Sequence, residues 1–210
     1  MTIISRTPVS PTRTDSPIPT LRVASIPSSH VYVQHLNPVA ELAPVHRLAD
    51  PDPDDPRRSA VSRWWPPAML EADWVHEHAD EFDLMHLQFG FDARTPEQLA
   101  DLLQALADER KPLVYTVHDL RNPHHASPEE HDAQLDVLIP GADRLVTLTP
   151  GAAAQIQRRW GRSALVLPHP HVVDLETMRR LRRERHVRAE GRAAQASDRR
   201  FVVGLHVKSL

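Results

Sequence analysis

The chain has no cysteine. Disulfides, thiolate zinc sites and cysteine nucleophiles are therefore excluded, and the absence fits a reducing compartment. No run approaches the roughly 18 apolar residues of a transmembrane helix, and the N-terminus lacks the apolar core of a signal peptide. A cytoplasmic protein is the expectation that follows. Glycine is scarce, at six residues. None of GxGxxG, GxxxxGK(S/T) or GxSxG occurs, so the familiar glycine-built phosphate loops and the nucleophile elbow are missing. Strong charge of either sign is lacking too: the net charge of -3 gives no global pull toward nucleic acid or anionic membrane. Arginine outnumbers lysine 23 to 2, which reflects coding bias more than phosphate binding.

What is present describes a soluble globular protein, with 40% apolar and 25% charged residues and enough Leu, Val and Ala for a core. Its 210 residues allow one large domain or one and a half ordinary ones. Residues 1–19, rich in Pro, Ser and Thr, cannot offset their ordering entropy and read as a disordered tail. Leu21 to Ile26 alternates into a first strand, broken by Pro27-Ser-Ser-His30. The segment from Val31 to Leu42 is weakly helical at best, and Val45 to Leu48 reads as a short second strand. Asp50-Pro-Asp-Pro-Asp-Asp-Pro56 is an acidic, proline-punctuated loop. Its carboxylates lack the Gly and the distal Glu of a calcium loop, so it reads as solvated.

From Trp64 the pattern sharpens. Trp64, Trp65, Met69, Leu70, Trp74 and Val75 suit a helix burying one face. Asp83 to Gly90 follows as a strand with a turn at its end. Thr95-Pro-Glu-Gln98 has the chemistry of a helix start, and Leu99, Leu102, Leu103 and Leu106 form one apolar stripe after it. The unit then repeats. Leu113 to Val117 is a buried strand with Pro112 at its start. Ser127-Pro-Glu-Glu130 is a second capping box before a helix carrying Leu135, Leu138 and Ile139. Arg144 to Thr149 is a strand, Thr149-Pro150-Gly151 opens a helix with Ala153, Ile156 and Trp160, and Ala164 to Pro168 is one more strand. Strands alternating with capped helices predict an α/β fold, a doubly wound, Rossmann-like parallel sheet spanning about residues 20–172. Residues 173–199, strongly basic from Glu176 to Arg192, read as an exposed helix or linker, with peripheral membrane contact as one use of the charge. Phe201 to Lys208 reads as a fresh strand, so 200–210 would open a further domain that is missing from this chain.

Four segments end at one carboxyl edge of such a sheet: Gln88-Phe-Gly90, His118-Asp119, Thr149-Pro-Gly151 and His169-Pro-His171. With Ser28, Ser29 and His30 they would line one crevice. His118 is the strongest catalytic candidate, because an imidazole at a strand end can donate to a sugar hydroxyl or a phosphate and titrate near neutrality. Asp119 would orient it or cap the next turn. Gln88, Thr149, His169 and His171 join Ser28, Ser29 and His30 as binding candidates. His118, His124, His125, His131, His169 and His171, with Asp119, also invite a metal reading. The spacing does not lock such a set, so no metal and no cofactor is expected.

The order of Arg22-Val-Ala-Ser-Ile-Pro-Ser-Ser29, Phe82-Asp-Leu-Met-His-Leu-Gln88, Leu113-Val-Tyr-Thr-Val-His-Asp119, Ala142-Asp-Arg-Leu-Val-Thr-Leu-Thr149 and Leu165-Val-Leu-Pro-His-Pro-His171 resembles the N-terminal domain of family-four retaining glycosyltransferases. The resemblance implies a GT-B fold, in which this half shapes the acceptor side and a second domain binds the nucleotide-sugar donor. It implies that His118 contacts the donor sugar and that Ser28 and Ser29 lie near a phosphate. Two departures stand out. The family commonly has Gly in the Ser28-Ser29 loop, and an Asn-Gly turn where this chain has His169-Pro-His171. The partners implied are a nucleotide-sugar donor, a carbohydrate or lipid-linked acceptor, and a missing C-terminal domain or separate partner chain. Nucleic acid is not among them. This half alone would be inactive. The alternatives are a non-catalytic sugar- or nucleotide-binding α/β protein, the partner subunit of a split transferase, and a His-dependent metal hydrolase.

Overall fold

The computed structural model describes residues 19–37, 44–121, 128–171 and 173–193. Residues 1–18 of the tail expected at 1–19, the strand at 200–210, the cap at Ser127 and the loop histidines His124 and His125 lie outside the described residues.

Six strands, β1 (Leu21–Ile26), β2 (Val45–Arg47), β3 (Leu84–Leu87), β4 (Leu113–Val117), β5 (Arg144–Thr147) and β6 (Leu165–Val166), form one sheet in the order β2-β1-β3-β4-β5-β6. Every pairing is parallel. The chain steps from β1 to β2 on one side, then back past β1 to β3 on the other. This puts a topological switch point between β1 and β3, the place where open α/β sheets leave a crevice at their carboxyl edge.

Register follows from side-chain alternation. Val23 pairs with Leu84, Met85 with Leu113 and Tyr115 with Leu145. One set of alternating residues, Ala24, Ile26, Met85, Leu87, Leu113, Tyr115, Val117 and Leu145, enters the main core. That core is closed by Trp74 and Val75 of α2 (Ala72–His78), Leu99, Leu102 and Leu106 of α3 (Pro96–Asp108), Leu135, Leu138 and Ile139 of α4 (Pro128–Gly141) and Ile156 of α5 (Pro150–Trp160). A slip of one residue would expose the whole set, so the pattern fixes the pairing. The other set is polar at the sheet centre: Ser25 pairs with His86, whose Nε2 meets Thr116 Oγ1 at 2.8 Å.

Helix starts obey local chemistry. The Thr95 hydroxyl accepts from the Gln98 amide at 3.3 Å and the Gln98 side chain accepts from the Thr95 amide at 2.9 Å, a complete capping box with Pro96 behind it. The helix expected from Trp64 is different. Pro66 and Pro67 remove two amide donors, so Trp64 and Trp65 stay in a turn, and the helical path begins only at the single 3-10 turn Ala68–Leu70. The acidic loop is not merely solvated: Asp52 pairs with Arg58 and Arg63, and Asp55 with Arg57. The basic segment is one helix, α6 (Leu175–Ala193), opened by Asp174 accepting from the Thr177 amide at 2.7 Å. Leu175, Leu181 and Val187 on it are exposed, so they add nothing to the core.

Candidate functional site

The carboxyl ends of β1, β3, β4 and β6 bring five rings together. His118, one residue past β4, stacks on Phe89 with ring centroids 4.2 Å apart. Tyr32, from the short α1 (Val31–Gln34) that follows β1, meets His118 edge-on at 4.6 Å and His169 at 4.8 Å. His30 packs on Phe89 at 5.0 Å, and its Nδ1 accepts from the Tyr32 amide at 3.2 Å to cap α1. Such offset and edge-to-face contacts fix ring orientation as well as burying area.

Beside these rings lies a hollow of about 100 Å³ lined by Gln88, Phe89, Gly90, Phe91, Asp92, His118, Asp119 and His131. Gln88 is 1% exposed, and neither its amide nitrogen nor its amide oxygen finds a hydrogen-bond partner among the described residues. His118 Nε2 is in the same condition. Buried polar atoms nearly always have a partner, and each exception calls for an explanation; a ligand that supplies the missing partner is one. Larger hollows exist, one of about 310 Å³ between α3 and the amino ends of the strands. Two of its polar side chains are already engaged: Asp143 accepts from the Leu113 amide and Lys111 donates to the Phe82 carbonyl.

Burial pushes His118 down to about 4 from its ordinary 6.5, with His169, His86 and His30 adding repulsion against a proton. His118 is thus a neutral donor or acceptor at pH 7, and the expected titration near neutrality is corrected to one well below it. Asp119 is exposed and makes no hydrogen bond to His118 among the described residues. Phe89 and Tyr32, not a carboxylate, hold the imidazole in place.

The other expected site residues divide. Ser28 and Ser29 do not offer free amides: Ser28 N donates to Asp50 Oδ1 at 2.8 Å, and Ser29 N and Oγ donate to Oδ2 at 2.9 and 2.6 Å. Thr149 is spent as the cap of α5, its hydroxyl accepting from the Ala152 amide at 3.1 Å. His169 joins the ring cluster, whereas His171 is exposed and has no ring contact with it. No group of three His, Asp or Glu that could hold a metal occurs among the described residues. Tyr32 and Asp50 escape a reading of the sequence alone, and Phe89 is placed at this edge within Gln88-Phe-Gly90 but not named as a site residue. Phe89 had a signal, since it sits between Gln88 and Gly90 at a strand end. Asp50 had none, because it acts on residues 21 and 22 positions away.

Gly90 sets the turn under the hollow. Its φ of 85° is left-handed, and a Cβ there would lie 2.7 Å from both Pro67 Cγ and Trp64 Cζ3. Arg94, 6% exposed, ties the same region down by donating to the Pro67 carbonyl at 2.8 Å and to Glu71 at 2.7 Å.

These features define the class: a Rossmann-like α/β domain with a ring-lined crevice at its switch point. No protein-family model matches the chain, and no curated protein matches it. Among solved structures, HepE of Anabaena in complex with UDP is similar at 15% identity and a TM-score of 0.39, over 80% of this chain and 50% of that one. The chain thus spans about half the length of that structure, and a likeness of this size assigns neither a fold nor an activity by itself. No helix among the described residues is long and apolar enough to cross a membrane.

Proposed function

We propose that this chain is the acceptor-side half of a GT-B retaining glycosyltransferase, with residues 20–172 as its Rossmann-like domain, 173–199 as the link and 200–210 as the opening strand of the donor domain. One observation carries the reading. The unpartnered Gln88 amide and the neutral His118 Nε2 stand beside the Phe89 ring at the carboxyl edge. Uncharged donors and acceptors beside an aromatic face are the chemistry that recognises a sugar, whose hydroxyls need hydrogen bonds and whose C–H faces pack on rings. The order of strand-end motifs, from Ser28 to His171, supports the family.

In this proposal Gln88 and His118 bind sugar hydroxyls, Phe89 and Tyr32 supply the wall, and His30 and His169 hold Tyr32 and Phe89 in place. The donor's nucleotide and diphosphate are held by the second domain, and a half alone lacks the groups that would stabilise the leaving nucleotide. The 210-residue chain should therefore bind free sugar and transfer none. A titration of the chain with a panel of neutral mono- and disaccharides, followed by amide shifts, tests the binding. Shifts centred on Gln88 and His118 that vanish in His118→Ala support the proposal, and a folded chain indifferent to every sugar refutes it. Incubation with radiolabelled nucleotide sugars tests the second half, and transfer at a rate typical of a complete enzyme would sink the claim of inactivity.

The low proton affinity of His118 favours a second reading. A histidine neutral down to about pH 4 is a poor general acid at neutral pH, which suits a non-catalytic sugar-binding protein or the partner subunit of a split transferase. Restored transfer on adding a separately produced donor domain distinguishes these: it supports a transferase half, and its absence alongside intact sugar binding supports the binding protein.

A further inference from the structure

Three donors of the turn after β1 converge on one carboxylate. Ser28 N, Ser29 N and Ser29 Oγ reach the two oxygens of Asp50 at 2.8, 2.9 and 2.6 Å. In open α/β sheets the turn after the first strand is the customary seat of a ligand's phosphate, which backbone N–H groups bind because they point at it and carry positive partial charge. Here the seat already holds an anion, and the anion belongs to the chain, coming from the segment that follows β2. The next residue in the same turn, His30, packs on Phe89, so the seat adjoins the hollow beside Gln88 and His118. Asp92 and Asp119 also line that hollow and add negative charge to it.

We propose that Asp50 is a specificity-determining residue: it fills the phosphate seat in the turn after β1, so this turn takes no phosphate group and the adjoining hollow is left to an uncharged polyhydroxylated ligand, while the donor's diphosphate stays with the second domain. The identity of the admitted ligand rests on the carbohydrate reading above. The exclusion of phosphate rests on the Asp50 geometry alone. A phosphate brought to the seat would meet like charge and find the two turn amides taken. The same residue explains how the turn dispenses with glycine, since a carboxylate side chain reaches in from outside and no ligand backbone approach is needed.

The test is a titration of the full chain with inorganic phosphate, read at the amide resonances of Ser28 and Ser29 in wild type, Asp50→Asn and Asp50→Ala, each first shown to keep the native amide spectrum. In wild type those two amides should not move. In Asp50→Ala they should shift on binding phosphate at least about tenfold more tightly than wild type does. Asp50→Asn should fall between, because its carbonyl oxygen still accepts one hydrogen bond while the charge is gone. Wild-type amides that titrate with phosphate overturn the proposal. So does a folded Asp50→Ala chain with no gain, which would make Asp50 a loop clasp and nothing more. If Asp50→Ala does not fold, Asp50→Asn decides by the same readout. Sugar binding at Gln88 is measured in a separate titration, so failure of the carbohydrate reading and failure of the Asp50 assignment leave different signatures.

Discussion

At the amino ends of the strands, no buried side-chain polar atom among the described residues is left without a partner. Asp83 accepts from the Arg22 amide at 2.8 Å and pairs with its guanidinium at 2.7 Å, while Asp83 N returns a bond to the Arg22 carbonyl. Asp143 does the same for Leu113, and Lys111 reaches the Phe82 carbonyl. At the carboxyl ends of the same sheet, Gln88 and His118 keep buried polar atoms with no partner. The difference lies in what the side chains are for. One edge is completed by the chain itself, and the other is left to be completed by something else.

The comparison can be broken most forcefully at Gly90, which shows that the unfinished edge is nonetheless rigidly built. Gly90→Ala combines a left-handed backbone with a Cβ pressed against Pro67 and Trp64. It should cost about 2–4 kcal/mol in urea unfolding, the sum of strain and overpacking. A cost near zero would mean that the turn adapts and that the site is soft.

Next in size is the amino edge. Asp143→Ala leaves the Leu113 amide without its side-chain acceptor and should cost about 1–2 kcal/mol, with sugar binding unchanged in the folded fraction. Loss of binding without loss of stability would reverse the assignment of roles to the two edges.

The edges should also separate in pH. Burial lowers His118 and His86 to about 4 from 6.5, with the Arg47 charge contributing at His86. Between those values the unfolded chain binds more protons than the folded one, so stability falls as pH drops from about 6.5 to 4. Asp83 is lowered from its ordinary 3.8, first by the Arg22 side-chain bond and then by its backbone bond. Its contribution, present above that value, is lost only at more acid pH. Urea midpoints across pH in His86→Leu should therefore show a shallower slope in the upper window, with His118 keeping the rest, and in Asp83→Asn a flatter lower one. A single acid transition unaffected by either change would contradict this separation.

The smallest effect is the most diagnostic. Gln88→Leu removes two buried unpartnered atoms and should leave stability unchanged or raise it by up to about 1 kcal/mol, because nothing hydrogen-bonded is lost. Binding of sugar should be lost in the same variant. A clear destabilisation would show that Gln88 has a structural partner, and the contrast between the edges would shrink.

Much of the architecture was legible in local pattern. The alternation from Leu21 to Ile26, the capping box at Thr95 and the stripe through Leu99, Leu102 and Leu106 each correspond to an element of the expected type and place. These signals act within a few residues, where sterics and capping chemistry suffice. The helix expected from Trp64 begins only at Ala72, after a 3-10 turn, because two prolines outweighed the apolar spacing at its start. At the site, Gln88, His118, His30 and His169 were predicted to converge, and three of the four are linked through Phe89 and Tyr32. Tyr32 went unpredicted, and Phe89 was placed at the edge without a role, because an aromatic at a strand or helix end reads as ordinary core. Thr149 was visible both as a cap and as a ligand, and the cap took it.

The sequence by itself determined the strands, the helices, the parallel order they favour and the edge at which polar residues would gather, because these depend on alternation, spacing and turn chemistry along the chain. Only the tertiary structure decided what that edge can do. Burial made His118 neutral, ring packing replaced Asp119 as its support, and Asp50 crossed from the segment after β2 to fill the turn at Ser28 and Ser29. Desolvation and contacts between distant residues have no local signature, so no pattern of neighbours could have announced them.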